Sequence, residues 1–345
     1  MHKQQELVIG YIGNGKSTNR YHLPFALNRP GKIKVKTIYQ RTLGKGSWAP
    51  VEGITYTDEL DEMLADKEIQ AVIICTPVDG HKSLAKQVLE AGKHCVVEKP
   101  FTLNLADAEE LFRLAEEKNL ILECYQNRRF DSDFLTTQQV IESGRLGQLF
   151  EVNMNYDYYR PQVPEGEKSY QQDHAFLYTH ACHTVDQVLS YFGQPQDFHY
   201  DVRQLFGKGR MNDYFDLDFY YDGLKISVKS SYFRAKARPS FAVYGTKGVF
   251  IKETEDRQEA DLKKFYLPAG HEDFGQDLPE HYGTLTYYDD AGLYHEEKVP
   301  TVTGDYARYY DALYETIING APPLVTKEQT LTQMRILEKA SENLA

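Results

Sequence analysis

The chain has 345 residues, a length typical of two domains that each bury a core of their own. Its formal net charge of −12 at pH 7 argues against binding to nucleic acid or to an anionic membrane surface, because both require a basic surface. A composition with 41% hydrophobic and 26% charged residues is typical of a soluble globular protein.

Neither the cysteines nor the apolar runs indicate a secreted or membrane-spanning protein. No CxxC pair occurs, and three of the four cysteines lie in apolar, strand-like runs, so we expect buried, reduced thiols. The first six residues are polar, and no apolar run approaches about 20 residues, so neither a signal peptide nor a membrane span is predicted. These patterns predict a cytoplasmic location.

Short apolar runs alternate with amphipathic stretches in the first third of the chain. The predicted strands cover residues 7–12, 33–39, 71–75, 93–97 and 120–125. Helices are predicted over residues 59–66 and 81–91, and a third begins at a cap, Thr102 or Asn104, and runs to Ala115. This alternation predicts a Rossmann-type, doubly wound parallel sheet over residues 1–125, an α/β dinucleotide-binding domain.

A glycine-rich loop follows the first strand. Its residues are Gly13, Asn14, Gly15, Lys16, Ser17 and Thr18. Counted from Gly10, the loop satisfies the GxxxxGKS pattern of nucleoside triphosphatases, and counted from Gly13 it is a dinucleotide fingerprint with Thr18 as its third glycine. The fingerprint is favoured because a loop from Gly10 would leave a strand of about four residues. In addition, no later strand ends in the magnesium-binding Asp that phosphoryl transfer needs.

The strand over residues 33–39 ends in Gln40 and Arg41. NAD-binding sites usually offer an acid near this position to bind the ribose 2′-hydroxyl, and this chain has none. Arg41 could instead pair with a 2′-phosphate, so the sequence favours NADP as the cofactor, with NAD as a possibility. The alternative is a solvated arginine at a strand end.

The tripeptide Glu98-Lys99-Pro100 directly follows the predicted strand over residues 93–97. Pro100 ends the strand because it has no N–H to donate to a ladder, and the bond that precedes it is a candidate for the cis form. Ligands bind at the carboxyl edge of an open parallel sheet, so Lys99 could stabilise a developing alkoxide or pass a proton. A Glu-Lys-Pro tripeptide is more often a surface turn, and by itself it does not decide between the two.

After residue 125 the apolar pattern changes to a period of two. Residues 150–158 and 215–221 alternate apolar and polar side chains, and Asp222-Gly223 predicts a hairpin turn into residues 224–228. Further strands are predicted over residues 241–244, 248–252, 285–288 and 293–298, and helices over residues 134–143, 305–318 and 327–342. The sequence therefore predicts an α+β domain over residues 126–345 with a large, mostly antiparallel sheet.

His180, His183 and Asp186 share one face of a stretch that predicts a helix, because they are spaced three residues apart. Two histidines without a further clear ligand set do not predict a metal site. One of them could transfer the proton of an alcohol dehydrogenation, or each could be a hydrogen-bonded structural residue. The residues alone leave these two alternatives open.

Together, the motifs resemble those of the Gfo/Idh/MocA oxidoreductases, the family of glucose–fructose oxidoreductase and inositol dehydrogenase. The resemblance spans most of the chain and rests on Thr76-Pro77, His81, residues 91–94 before Glu98-Lys99-Pro100, residues 127–131 and residues 141–147. The sequence is most similar to a branch that includes NADP-dependent scyllo-inositol dehydrogenases, which share the Tyr-Arg-Pro stretch at residues 159–161.

The resemblance implies hydride transfer between a nicotinamide cofactor and a secondary hydroxyl or carbonyl of a sugar, inositol or related polyol. It implies that His183 is the base, and we expect Lys99 to orient and polarise the substrate oxygen. The family commonly has an Asp four residues before this histidine, where the chain has Thr179. A catalytically weak or inactive NADP(H)-binding redox sensor is therefore the alternative. A homodimer or homotetramer formed through the sheet is also implied.

These considerations give a set of candidate residues for each role. The predicted catalytic residues are Lys99 and His183. The predicted cofactor-binding residues are Gly13, Asn14, Gly15, Lys16, Ser17, Thr18, Arg41, Thr76, Pro77, His81, Glu98, Lys99 and Asn127. The predicted substrate-binding residues are Lys99, Asn127, Tyr158, Arg160, His180, His183 and Asp186.

Overall fold

The computed structural model of the chain describes residues 5–44, 48–162 and 169–344. Residues 1–4, part of the polar stretch that predicted no signal peptide, lie outside the described residues. The chain divides into two compact units, each built from separate stretches of sequence. The first unit comprises Met1–Asn127, Asp261–Phe274 and Tyr306–Met334, and the second comprises Arg128–Ala260, Gly275–Asp305 and Arg335–Ala345.

The first unit contains a six-stranded parallel sheet with the order β3-β2-β1-β4-β5-β6. Its strands are β1 (Leu7–Ile12), β2 (Ile33–Tyr39), β3 (Thr55–Thr57), β4 (Ala71–Ile74), β5 (His94–Val97) and β6 (Leu122–Cys124). The strand order reverses between β1 and β4, and ligands bind beyond the carboxyl ends of the strands at such a switch point. The predicted doubly wound sheet is confirmed.

Helices flank both sheets. The α-helices of the described residues are α1 (Leu23–Leu27), α2 (Leu60–Ala65), α3 (His81–Glu90), α4 (Leu105–Glu117), α5 (Ser132–Glu142), α6 (Cys182–Phe192), α7 (Gln258–Lys263), α8 (Ala307–Asn319) and α9 (Lys327–Ser341). Asn104 caps α4, because its side-chain oxygen accepts a hydrogen bond of 2.8 Å from the backbone N–H of Asp107. None of these helices combines the length and the apolar character that a membrane span requires.

The second unit contains an eight-stranded sheet with the order β14-β13-β12-β11-β7-β10-β9-β8. Its strands are β7 (Leu149–Asn155), β8 (Asp197–Arg203), β9 (Tyr214–Tyr221), β10 (Leu224–Ser231), β11 (Phe241–Gly245), β12 (Gly248–Lys252), β13 (Gly283–Tyr288) and β14 (Tyr294–Val299). Only the β7–β10 pair of this sheet is parallel, so the predicted, mostly antiparallel sheet is confirmed.

The β9–β10 hairpin shows how local sequence fixes this sheet. Leu224 pairs with Tyr221 across the predicted turn, where Gly223 has φ +67°. Phe215 and Phe219 alternate with polar residues along β9 and are fully buried, and the ring of Phe215 lies 5.2 Å from that of Phe176. Burial of one such aromatic side chain contributes about 1.5–3 kcal/mol.

The four cysteines, Cys75, Cys95, Cys124 and Cys182, are buried free thiols, as predicted. Burial raises the pKa of the Cys75 and Cys95 thiols, because the charged thiolate is disfavoured away from water. They therefore behave as small apolar core residues.

Candidate active site

The loop after β1 has the geometry of a dinucleotide-binding loop. Gly10 lies inside β1, where it pairs with Thr37 and Val72, so the loop begins at Gly13. Gly13 has φ +110°, and a methyl group on it would lie 2.5 Å from the carbonyl oxygen of Cys75. Only glycine tolerates both this backbone conformation and this close approach.

Thr18 replaces the third glycine of the fingerprint and closes the loop. Its hydroxyl donates a hydrogen bond of 2.6 Å to the carbonyl oxygen of Gly13. By contrast, Gly15 is exposed, and a methyl group on it would meet nothing within 4 Å. The loop is therefore fixed at its base and open at its tip, an arrangement that fits a pyrophosphate group approaching the backbone.

The end of β2 leaves a guanidinium group accessible. Asn14 donates a hydrogen bond of 2.8 Å to the side-chain oxygen of Gln40, and Asn19 in turn donates one of 2.8 Å to Asn14. These bonds hold Gln40 towards the loop. Arg41 is exposed, and no acid of residues 5–44, 48–162 and 169–344 forms an ion pair with it.

The carboxylate of Glu98 is buried at the end of β5 and accepts hydrogen bonds on both oxygens. Its Oε1 accepts one from the Ser17 hydroxyl and lies 3.1 Å from Nε2 of His22, and its Oε2 accepts one of 2.9 Å from the backbone N–H of Lys99. Burial alone would raise the pKa of Glu98, but His22, Lys99 and Ser17 together outweigh it and hold the pKa at about 2. Glu98 is therefore an anion that connects the glycine loop to Lys99.

Lys99 is half-buried, and its bond to Pro100 is cis, the form that the sequence had made a candidate. Its ammonium group makes no hydrogen bond within the part of the chain that the structure describes. A positive charge at the carboxyl end of β5 is thus available to a ligand, and a polarising role of Lys99 stays a prediction.

His81 links the segments that follow β4 and β5. One ring nitrogen lies 2.9 Å from the carbonyl oxygen of Thr76, and the other lies 3.0 Å from that of Pro100 and 3.1 Å from that of Phe101. This geometry gives His81 a structural role beside Lys99. A contact of His81, Thr76 or Pro77 with a cofactor stays a prediction.

In the second unit, His180 lies in a π-helical turn, Leu177–Ala181, that leads directly into α6. The sequence predicted one helix here, and the wider π turn differs from a regular α-helix, so a spacing of three residues no longer guarantees a shared face. The His180 ring packs 4.5 Å from that of Phe176, and its Nδ1 lies 2.9 Å from the Thr179 hydroxyl oxygen. His183 is half-buried in the first turn of α6.

Asp186 lies one turn after His183 and forms a buried ion pair with Arg129. Two parallel hydrogen bonds of 2.8 and 2.7 Å join the guanidinium to the two carboxylate oxygens. Burial raises the pKa of Asp186, while the charge of Arg129 opposes this shift. The pair anchors the first turns of α6, the helix that carries His183. A contact of Asp186 with substrate stays a prediction.

Arg160, Tyr158 and Tyr232 form a cationic and aromatic patch in the second unit. The guanidinium of Arg160 lies 4.2 Å from the ring centre of Tyr158 and 5.4 Å from that of Tyr232, both within cation–π range. The ring of Tyr158 also lies edge-on to His180 at 5.3 Å. The structure thus brings three of the predicted substrate-binding residues together, while Asn127 lies buried in the first unit.

The sequence prediction missed His22, Tyr310 and Tyr11, which form a buried chain of hydrogen bonds behind Glu98. The local signal is limited to a histidine directly before the apolar stretch that becomes α1. Among the described residues, no group of three or more His, Cys, Asp or Glu side chains is arranged to hold a metal ion.

Comparisons with known proteins cover almost the whole chain. The NAD-binding Rossmann-fold domain of the Gfo/Idh/MocA oxidoreductase family matches residues 7–126, and the C-terminal alpha/beta domain of the same family matches residues 138–343. YhhX, an uncharacterized oxidoreductase of Escherichia coli, is 45% identical over 333 residues, which are 96% of this chain and 95% of YhhX.

Two further relatives bear on fold and chemistry. The scyllo-inositol 2-dehydrogenase (NADP(+)) IolW of Bacillus subtilis is 32% identical over 349 residues, which cover 99% of this chain and 94% of IolW. The crystal structure of an oxidoreductase from Bacillus cereus superposes with a TM-score of 0.92 at 44% identity, and the match covers 97% of this chain and 95% of that one.

The pKa of Glu98 predicts a specific acid sensitivity. Its value of about 2 lies below the usual 4.5, so the stability from the ionised carboxylate is complete above about pH 4.5 and is lost as the pH falls towards 2. Glu98→Gln lacks that contribution. The difference in the free energy of unfolding between the wild type and Glu98→Gln should therefore shrink by up to about 3 kcal/mol on acidification.

Urea denaturation measures this difference in the free energy of unfolding at each pH. The probe is the fluorescence of Trp48, the single tryptophan, which lies in the first unit. Glu116→Gln is the control, since Glu116 is an exposed acid of the same unit that pairs with Lys327. Parallel pH dependences of the wild type and Glu98→Gln would contradict the assignment.

Proposed function

The chain belongs to the Gfo/Idh/MocA family of oxidoreductases, and we propose that it is an NADP-dependent dehydrogenase of a secondary hydroxyl, or reductase of the corresponding carbonyl, in an inositol, sugar or related polyol. The observation that carries this proposal is Lys99, an available ammonium group that the buried anion Glu98 holds at the carboxyl end of β5. IolW is 32% identical over 99% of this chain, and its name supports both the cofactor and the substrate class.

The residues of the first unit fit a dinucleotide. The loop over residues 13–18 would hold the pyrophosphate with its backbone, and Arg41 would bind the 2′-phosphate of NADP. Because Gln40 is neutral and bonded to Asn14, no carboxylate at this position opposes a 2′-phosphate. The nicotinamide of the bound cofactor supplies the two-electron acceptor or donor of the reaction.

Oxidation of a carbinol releases the proton of its hydroxyl group. We assign His183 as the base, because a neutral imidazole accepts such a proton near neutral pH. Lys99 stabilises the negative charge that develops on the substrate oxygen, and in the reverse direction it polarises the carbonyl. The Arg129–Asp186 pair keeps α6, and with it His183, in place.

A polyol presents several hydroxyl groups and an apolar ring face. Tyr158 and Arg160 offer an aromatic ring and hydrogen-bond donors, and the ring of His180 packs against that of Tyr158 in a T-shaped arrangement. Burial raises the pKa of Tyr158, so its hydroxyl stays protonated and can donate. Contacts of the buried Asn127 and Asp186 with substrate stay predictions. A cytoplasmic location and a homodimer or homotetramer stay predictions.

Cofactor choice tests the role of Arg41. We expect the wild type to prefer NADP, and Arg41→Ala to lower kcat/KM for NADP by about 10- to 100-fold, because charge-assisted hydrogen bonds to the phosphate are lost. The kcat/KM for NAD should stay within about twofold. Initial rates with both cofactors measure this, and Lys34→Ala, an exposed cation on β2, is the control. A wild-type preference for NAD would contradict the assignment of Arg41 to the 2′-phosphate.

Lys99→Met tests the chemistry itself. The variant should lose about 100-fold or more in kcat, since it removes the charge opposite the developing alkoxide. Its affinity for NADPH should stay within about threefold of the wild type. Initial rates on a panel of inositols and aldoses and a fluorescence titration with NADPH measure the two quantities.

Lys86→Met, on the exposed side of α3, is the matched control for this variant. His183→Asn should show the same split between kcat and NADPH affinity, and His180→Asn should raise KM more than it lowers kcat. Near-normal turnover of Lys99→Met would refute its role. A wild type that binds NADPH but oxidises or reduces nothing in the panel would favour the redox sensor.

A further inference from the structure

We propose that His22 is a positioning residue of the active site, which holds the Glu98 carboxylate so that the glycine loop and the backbone of Lys99 keep one fixed arrangement. The proposal rests on the proposed function, because it gives His22 a part in placing the lysine of that reaction. It extends the site from the groups that would contact substrate and cofactor to a buried layer behind them.

His22 is completely buried and has a polar partner at each ring nitrogen. Its Nε2 lies 3.1 Å from Oε1 of Glu98, and its Nδ1 lies 2.8 Å from the hydroxyl oxygen of Tyr310. That hydroxyl lies 2.8 Å from the hydroxyl of Tyr11, which is also fully buried. The result is a continuous chain of polar groups that ends on the carboxylate.

The direction of the last hydrogen bond is fixed by charge. The ionised carboxylate of Glu98 can only accept hydrogen bonds, so Nε2 of His22 must carry the hydrogen between them. A flip of the imidazole ring is disfavoured, because it would break the contact of Nδ1 with Tyr310 and because the ring of Tyr125 packs on its face at 3.8 Å. The donor therefore stays aimed at Glu98.

Glu98 then connects two segments that are not neighbours in the sheet. Its carboxylate accepts from Ser17 in the loop after β1 and from the backbone of Lys99 after β5, and β4 lies between these two strands. Without the hydrogen bond from His22, a buried anion would lose one of three donors and would be free to reorient. The loop and Lys99 would then lose their common anchor.

The backbone before α1 explains how His22 reaches inward. Residues Thr18–His22 form a π-helical turn, and α1 begins at the next residue. Such turns insert a residue into helical geometry and occur frequently at functional sites. His22 lies at the end of the turn, buried between Tyr125 and the carboxylate. One turn thus supplies both the hydroxyl of Thr18 that closes the glycine loop and the imidazole that holds Glu98.

A matched pair of variants tests the proposal. The amide of His22→Gln lies near the position of Nε2 and can still donate to Glu98, whereas the amide of His22→Asn lies near Nδ1 and cannot reach it. We expect His22→Gln to stay within about threefold of the wild type in kcat and in NADPH affinity. We expect His22→Asn to lose about 10- to 100-fold in kcat and about 3- to 10-fold in NADPH affinity.

Tyr314→Phe is the control, because Tyr314 lies on α8 like Tyr310 but donates to the backbone of Gln5, outside this chain of groups. Equal losses in His22→Gln and His22→Asn would show that the imidazole only fills space and would overturn the proposal, as would no loss in either. NADPH affinity needs no turnover, so it separates a failure of this proposal from a failure of the proposed reaction.

A second measurement covers the case in which His22→Asn does not fold. Nitrogen NMR of wild-type protein with labelled histidine, assigned with His22→Gln, reports which ring nitrogen of His22 carries hydrogen. We expect hydrogen on Nε2 throughout the neutral pH range. A bare Nε2 would overturn the proposal, because no donor would then face Glu98.

Discussion

The buried negative charge of Glu98 is the constraint on which the candidate site depends. An ionised carboxylate away from water is costly unless every lone pair that faces the protein meets a donor. Here the donors are a hydroxyl from the glycine loop, an imidazole behind it and the backbone of Lys99. The need to satisfy one carboxylate therefore ties the glycine loop to the backbone of Lys99.

Each of the two units carries its own set of proposed functional groups. The first unit supplies the parallel sheet, the open glycine loop and an ammonium group beside the switch in strand order. The second supplies a half-buried histidine on a helix anchored by a buried ion pair, and a tyrosine–arginine patch. Family membership fixes the class of protein, whereas the substrate class stays a proposal.

Local pattern accounts for most of the fold. Strand β1, the β9–β10 turn and the Asn104 cap all follow from residues that lie within a few positions of one another. Periodicity and capping are short-range signals, so a single sequence carries them. The same holds for the glycine loop and the residues around Lys99, which have recognisable spacing.

The rest of the site depends on contacts that no local pattern encodes. His22 meets Glu98 across 76 positions and Tyr310 across 288. Likewise, the segment Asp261–Phe274 belongs to the first unit, where Phe274 packs 6.0 Å from Phe25, although its neighbours in sequence belong to the second. The π-helical turns are not predicted either, because each covers only five residues, which is too short for its periodicity to be told from that of an α-helix.

The hydrogen that the substrate loses gives the most direct test of the proposed hydride transfer. Wild-type enzyme is incubated with NADP and with inositols or aldoses that carry deuterium on the carbinol carbon, and the reduced cofactor is analysed by mass spectrometry. Hydride transfer from the carbinol carbon should leave the deuterium in NADPH, with turnover that falls in Lys99→Met. Tight NADP(H) binding with no deuterium in the cofactor, for any substrate of the panel, would contradict it.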